Sequence, residues 1–257
     1  MIKKHLIPFT VITVLLVMAK VFAYTLPNEK ITLKNNNLTT IKEEPVEPEF
    51  TIAQLEFANE TLPLGDTKVT DKMKRTLASF GYQNLQTNRL HRRAAEWFPI
   101  IEPILAAYGI PNDFKYMPLV ESGLKSGTSP KGAAGFWQFM PGTARMFGLK
   151  VNGNIDERNN LRKSTIAACK YMKELHGIFN SWTLVAAAYN VGDSHMKRQI
   201  NKQNQDNYFK MKLNRETGGY VYKLISMKEI LENPARNGYE SQKALIAYVE
   251  APSKTVE

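Results

Sequence analysis

One carboxylate in this chain stands in a setting that could do chemistry. Glu121 follows the apolar run at residues 117–120 and precedes "SGLKSGTSPKGAAGFWQFMPGTA", dense in small residues and broken by Phe136, Trp137, Gln138 and Phe139. A carboxylic acid becomes a useful general acid near neutral pH when burial disfavours its charged form. If this segment folds back, the apolar run and the three aromatics enclose Glu121. Gly132, Ala133, Ala134 and Gly135 then let the backbone approach a bulky ligand, and Gln138 offers an amide. Aromatic faces mixed with amides and hydroxyls suit a sugar. The plain alternative is a surface glutamate at a helix end, with Trp137 and Phe139 as ordinary core and Tyr189-Asn190 as a helix C-terminus before Gly192.

Other chemistries find little support. The four histidines (His5, His91, His176, His195) have no metal-ligand spacing, so no metal is expected, and no cofactor either. Neither a G-x-x-x-x-G-K-[ST] loop nor a G-x-G-x-x-G turn is present, which argues against nucleotide chemistry. Cys169 is the single cysteine, so no internal disulfide can form.

The elements that must position Glu121 read as helices. Leu90, Ala94, Trp97, Ile101, Ile104, Leu105 and Tyr108 recur at helical spacing up to Gly109, with Pro99 and Pro103 predicting a kink or break. Asn112 or Asp113 is the expected cap of the helix leading to Glu121, and Thr143 of the one after "MPGTA". "STIAACKYMKELHG" predicts a helix capped by Ser164 or Thr165 and stopped at Gly177. "SWTLVAAAYNVG" predicts one from Ser181 to Gly192, its alanines suiting close neighbours. "ETGGYVYKLISMKEILENP" predicts another from about Thr217 to Pro234. Strand signals are few: "KVNGNID" makes a small turn or hairpin at most. The fold class expected is all-α or mainly α, with irregularly packed helices.

Residues 24–61 are polar and proline-marked and read as a linker, with a short helix near 51–58; residues 62–239 form the domain and 240–257 a tail. Ahead of these, residues 1–23 have a basic start (Lys3, Lys4), an apolar stretch and the small-x-small-like Val21-Phe22-Ala23, the pattern of a secretory signal peptide. An uncleaved anchor is the alternative, although Lys20 cuts the apolar run short of a membrane span. No cysteine near that point offers a site for a lipid. The expected location is therefore exported, in the periplasm or cell envelope. The formal charge is +10, about +7 without Lys3, Lys4 and Lys20, which favours an anionic partner: wall polymer or, peripherally, acidic lipid head groups. Nucleic acid is not expected as a partner, because the basic residues are interleaved with acids. Oligomeric state is not legible.

Four segments occur in order: "ESGL…SPKGAAGFWQFMPGTA", "DER…STIAACKYM", "AAAYNVG" and "ETGGYVYKLI". Together they resemble the lytic transglycosylases with a goose-type lysozyme-like catalytic domain, and within that family the membrane-bound lytic transglycosylase D subgroup. The resemblance covers roughly residues 62–239 and implies a lysozyme-like fold around a sugar cleft. It implies Glu121 as the single catalytic acid/base, Ser129 as a serine hydrogen-bonding near it, and Gln138 as the glutamine lining the cleft. Tyr189 and Asn190 would flank the catalytic subsite, and Tyr220 would stand near the acid. The implied substrate is peptidoglycan glycan strands, and the implied reaction cleaves the β-1,4 bond between N-acetylmuramic acid and N-acetylglucosamine without water. Glu121 protonates the leaving oxygen, then accepts the C6 hydroxyl proton as a 1,6-anhydro ring closes. This chain lacks the family's Asn-Pro after "ES", and has Asn160 and Ile155 where the family often has Asp and Tyr. Two other readings stand beside this one. The first is a lysozyme-type hydrolase, for which Asp193 is the candidate second acid. The second is a wall-binding protein without catalysis.

Overall fold

The computed structural model describes residues 55–85, 88–122 and 128–239. The leader expected at 1–23, most of the expected linker, residues 123–127 and the expected tail at 240–257 lie outside them. Among the described residues the chain is mainly α, with one two-stranded antiparallel sheet.

That sheet opens the folded body earlier than Leu62. Strand β1 (Glu56–Phe57) pairs with β2 (Glu60–Thr61), Phe57 opposite Glu60. Residues 56–58 are therefore not the short helix that the sequence suggested. Ala58 and Asn59 turn the chain at φ 53° and 64°, a region costly for residues other than glycine. The Ala58 N–H donates to Asp113 Oδ2 at 2.8 Å, and Phe57 is fully buried with its ring 5.1 Å from that of Phe114. Tertiary contacts hold this turn where local propensity would not.

Helices follow as α1 (Thr67–Phe80), α2 (Tyr82–Leu85) and α3 (Arg89–Tyr108). Pro99 and Pro103 lie inside α3 without breaking it. Both are on its solvent side, so the carbonyls they leave unbonded, those of Ala95 and Pro99, lie on that side too. Gly109 closes α3 at φ 67°, as expected. A 3₁₀ turn (Asn112–Tyr116) then runs into α4 (Met117–Glu121). Neither Asn112 nor Asp113 caps it by side chain: Asp113 is instead spent on Ala58 N and on Lys228 Nζ at 2.9 Å.

Next come α5 (Pro141–Met146), α6 (Leu161–Phe179), α7 (Trp182–Val191), α8 (Asp193–Gln203) and α9 (Arg215–Glu232). Thr143 does not cap α5, which starts at Pro141 with Met140 in the cap position. Helix α6 is capped by Asn160, whose side chain accepts from Lys163 N, and not by Ser164 or Thr165, which bond back to the carbonyls of the preceding turn. It runs through Gly177 and stops at Asn180, in the left-handed region at φ 49°. The small hairpin at 150–156 is present as a bridge between Val151 and Asp156. Ser181 caps α7 and Gly192 ends it, both as expected.

Helix α7 is the centre. Residues Thr183 to Ala188 are all buried, and α6, α8 and α9 pack around it. The small alanines let backbones approach closely, which is why this helix can carry Tyr189 and Asn190 rigidly. Its N-terminus is held by a residue 121 positions away, Glu60. The Glu60 carboxylate accepts from Trp182 N, from Thr183 N at 3.0 Å, from Thr183 Oγ1 at 2.6 Å and from Ser181 Oγ at 3.0 Å. A carboxylate at a helix N-terminus satisfies orphan donors and opposes the positive end of the helix dipole.

Candidate active site

Glu121 is the last residue of α4, which packs on α9 and on the 3₁₀ turn ahead of it. The Tyr220 hydroxyl, from α9, donates to Glu121 Oε1. Burial pushes the Glu121 carboxyl up to about 7. The Tyr220 bond works the other way, Glu216 adds to the rise and Lys223 subtracts from it. Among the described residues Glu121 makes no ion pair. Tyr220 is itself buried, and burial followed by the Glu121 charge drives its phenol far above the ordinary tyrosine range. It is therefore a donor at neutral pH and never a competing anion.

Residues 128–139 form a compact loop. Thr128 bridges Ala134, and Ala134 bridges Phe139. Gly135 to Gln138 make the tight turn between the last two, with φ 79° at Gly135 and 46° at Gln138. A glutamine in the left-handed region is strained, and the strain is held by the structure around it. Its Nε2 donates to Gly135 O at 2.8 Å, leaving Oε1 without a bond to any described residue. Arg158 pins the loop: Nη1 donates to Gly132 O at 2.8 Å and Phe139 O at 3.0 Å, while Nε and Nη2 bond Asp156. That use of Asp156 and Arg158 explains why "DER" accompanies the loop in sequence. A Cβ on Gly135 would lie 2.0 Å from Arg158 O, so only glycine fits. Trp137 completes the anchor, with Nε1 donating to Thr165 Oγ1 at 2.9 Å.

The expected site residues meet unequally. Tyr189, on α7, donates from its hydroxyl to Trp137 O at 3.0 Å; burial first and the Glu121 charge second hold its phenol protonated. Glu121, Tyr220, Tyr189 and the Gln138 turn are thus one constellation. Asn190 stands at its edge, Oδ1 accepting from Thr217 Oγ1 at 3.0 Å and tying the end of α7 to the first turn of α9. Ser129 is not joined to Glu121. Its Oγ accepts from Ala133 N at 3.0 Å and shapes the loop. Nor do Trp137 and Phe139 offer faces to a ligand. They are core, 0% and 3% exposed, and their rings support Tyr189. Asp193, the second acid of a hydrolase reading, faces Lys197 at 3.7 Å and has no described interaction with Glu121.

Three nearby side chains escaped the sequence reading. Ser122 Oγ is buried beside Glu121 with no hydrogen-bond partner among the described residues, a polar atom that a ligand could satisfy. Its signal was its place in "ES". Glu216 and Lys223 act on Glu121 from α9, and only their helical spacing from Tyr220 could have marked them.

Comparison with known proteins shows what this segment is similar to. Residues 99–212 match the family model described as the transglycosylase SLT domain. The match takes in Glu121, Ser129, Gln138, Tyr189 and Asn190; Tyr220 lies beyond it. The matched residues lie within the segment whose motifs resemble the lytic transglycosylases. Among individual proteins it is similar to "Membrane-bound lytic murein transglycosylase D" of Escherichia coli, in strain K12 and in strain O6:H1. Each is 35% identical over 135 residues, which is 50% of this chain and 30% of that protein. It is also 32% identical over 130 residues to a protein of Alteromonas sp. (strain M-1) provisionally named a tributyltin chloride resistance protein, covering 49% of this chain and 63% of that one. The chain spans less than a third of the length of the two Escherichia coli relatives.

Proposed function

We propose that this protein is a peptidoglycan lytic transglycosylase that cleaves the glycosidic bond between N-acetylmuramic acid and N-acetylglucosamine and leaves a 1,6-anhydro end. The observation that carries the reading is the state of Glu121: a desolvated carboxyl with, among the described residues, one phenol donor and no ion pair, its pKa raised to about 7. Such a group is available in both protonation states near neutrality. As an acid it delivers a proton to the departing glycosidic oxygen. The carboxylate that remains, supported by the Tyr220 hydroxyl, accepts the proton of the C6 hydroxyl as that oxygen bonds to C1. The proton given in the first step is regained in the second, so neither water nor a cofactor is consumed. Ordinary glycosidases divide these roles between two carboxylates.

The substrate side rests on Gln138 Oε1 and Ser122 Oγ, two polar atoms without a partner among the described residues, and on the excess of basic residues. Ser129 shapes the loop that carries Gln138, and Asn190 fixes the wall beside Tyr189. The expected place of work is the periplasm or cell envelope, on the strength of the leader pattern at 1–23. Mass spectrometry of products released from purified sacculi tests the reading, with Glu121→Gln in parallel. Muropeptides lighter by one water than hydrolysis products, absent with the variant, are expected. Reducing-end products would instead make the protein a hydrolase, and binding to sacculi without any product would make it a wall-binding protein.

A further inference from the structure

The hydrogen bond from Tyr220 to Glu121 fixes which stripe of α9 looks at the acid. Positions four before and three after a helical residue share its face. Those positions are Glu216 and Lys223. Glu216 is exposed and Lys223 half-buried, and neither enters an ion pair among the described residues. An unpaired acid and an unpaired base thus flank the phenol that holds the catalytic carboxyl, one helical turn to either side.

We propose that Glu216 and Lys223 are a positioning pair that divides the two roles of Glu121, Glu216 holding it as an acid before proton transfer and Lys223 holding it as a carboxylate afterwards. The proposal rests on the double use of Glu121 in the reaction above. A single neighbouring charge could favour only one of the two states. Opposed charges at the two ends of one stripe keep both within reach. Behind burial and the Tyr220 bond, the charges acting on the Glu121 carboxyl are these two, and they act in opposite senses. The other titratable groups facing it, Tyr220 from α9 and Tyr189 from α7, stay neutral. As the more exposed partner, Glu216 should be the more strongly screened by salt.

The test is carbon-13 NMR of the glutamate carboxyls in the full chain, with the Glu121 signal assigned by its absence in Glu121→Gln. Glu216→Gln should move the titration midpoint of Glu121 to lower pH and Lys223→Gln to higher pH. The double variant should return it towards wild type, and Glu216→Asp and Lys223→Arg should leave it nearly in place. Added salt should shrink the Glu216 effect more than the Lys223 effect. The alkaline limb of kcat/KM on sacculi should move in the same directions. Midpoints that stay fixed, or that both variants move the same way, would overturn the pair, since a change in packing has no reason to follow the sign of the removed charge. If the midpoints move as stated but the wild-type protein releases no anhydro product, the pair stands and the reaction falls. If product forms and the midpoints do not move, the reaction stands and the pair falls.

Discussion

Two of the glutamates drawn into the protein, Glu60 and Glu121, are handled in opposite ways. Glu60 receives four hydrogen bonds from residues 181–183 and holds the helix that the rest of the core surrounds. Among the described residues Glu121 receives one, from a phenol, and forms no ion pair. A carboxylate given a full set of donors is a fastener. One buried with a single donor keeps its proton up to neutral pH, and that state is reactive. The burial of an acid therefore says little about its role until its donors are counted.

The contrast can be broken most severely at Glu121. Glu121→Gln should lower the rate of product release from sacculi by about 10³-fold or more, on the scale of a lost general acid that serves twice, while Tm holds or rises. Gly135→Ala comes next. Its Cβ would meet Arg158 O at 2.0 Å, so the Gln138 turn must shift. Displacement of a substrate-positioning loop by about 1 Å costs on the order of 10²-fold in rate, to be read as kcat/KM on sacculi. Glu60→Ala should do the reverse of Glu121→Gln. Left without acceptors, the donors of residues 181–183 should cost about 2–4 kcal/mol in urea unfolding, while the folded fraction keeps far more activity than Glu121→Gln does.

Tyr220→Phe sharpens the comparison on the functional side. Its hydroxyl favours the charged form of Glu121, so removing it should push that carboxyl above about 7 and carry the alkaline limb of kcat/KM upward. The smallest effect is on stability against pH. In the unfolded chain Glu121 ionises near its ordinary 4.5, whereas in the fold it holds its proton to about 7. Between those values the folded state binds more protons, so this group lowers stability as pH rises and its effect levels off above 7. Glu121→Gln should therefore gain in unfolding free energy over wild type from pH 5 to pH 7, by at most about 3 kcal/mol, and hold that gain beyond, with Tm rising in step.

Much of this was legible in the residues. Helical periodicity and the punctuation of Gly109, Ser181 and Gly192 placed α3 and α7, and the ordered motifs singled out Glu121, Tyr189 and Tyr220. The misplaced features share a cause. Asn160, Ser164 and Thr165 are all competent caps, and the choice among them depended on how the chain enters α6 from the "DER" turn. The hairpin at 56–61 was hidden because Ala58 is a poor left-handed residue and the bond that holds it comes from Asp113. Glu60, Glu216 and Lys223 look in sequence like any charge on a solvated face. Their partners lie far along the chain or one helical turn from a tyrosine whose role becomes plain only in three dimensions.

The central claim is that one carboxylate performs both proton transfers without water. The most direct measurement is digestion of purified sacculi in water enriched in oxygen-18, followed by mass spectrometry of the new glycan ends. The account predicts anhydro ends that carry none of the label. Reducing ends carrying one labelled oxygen would contradict it, because they would require a water, and not the C6 hydroxyl, to attack C1.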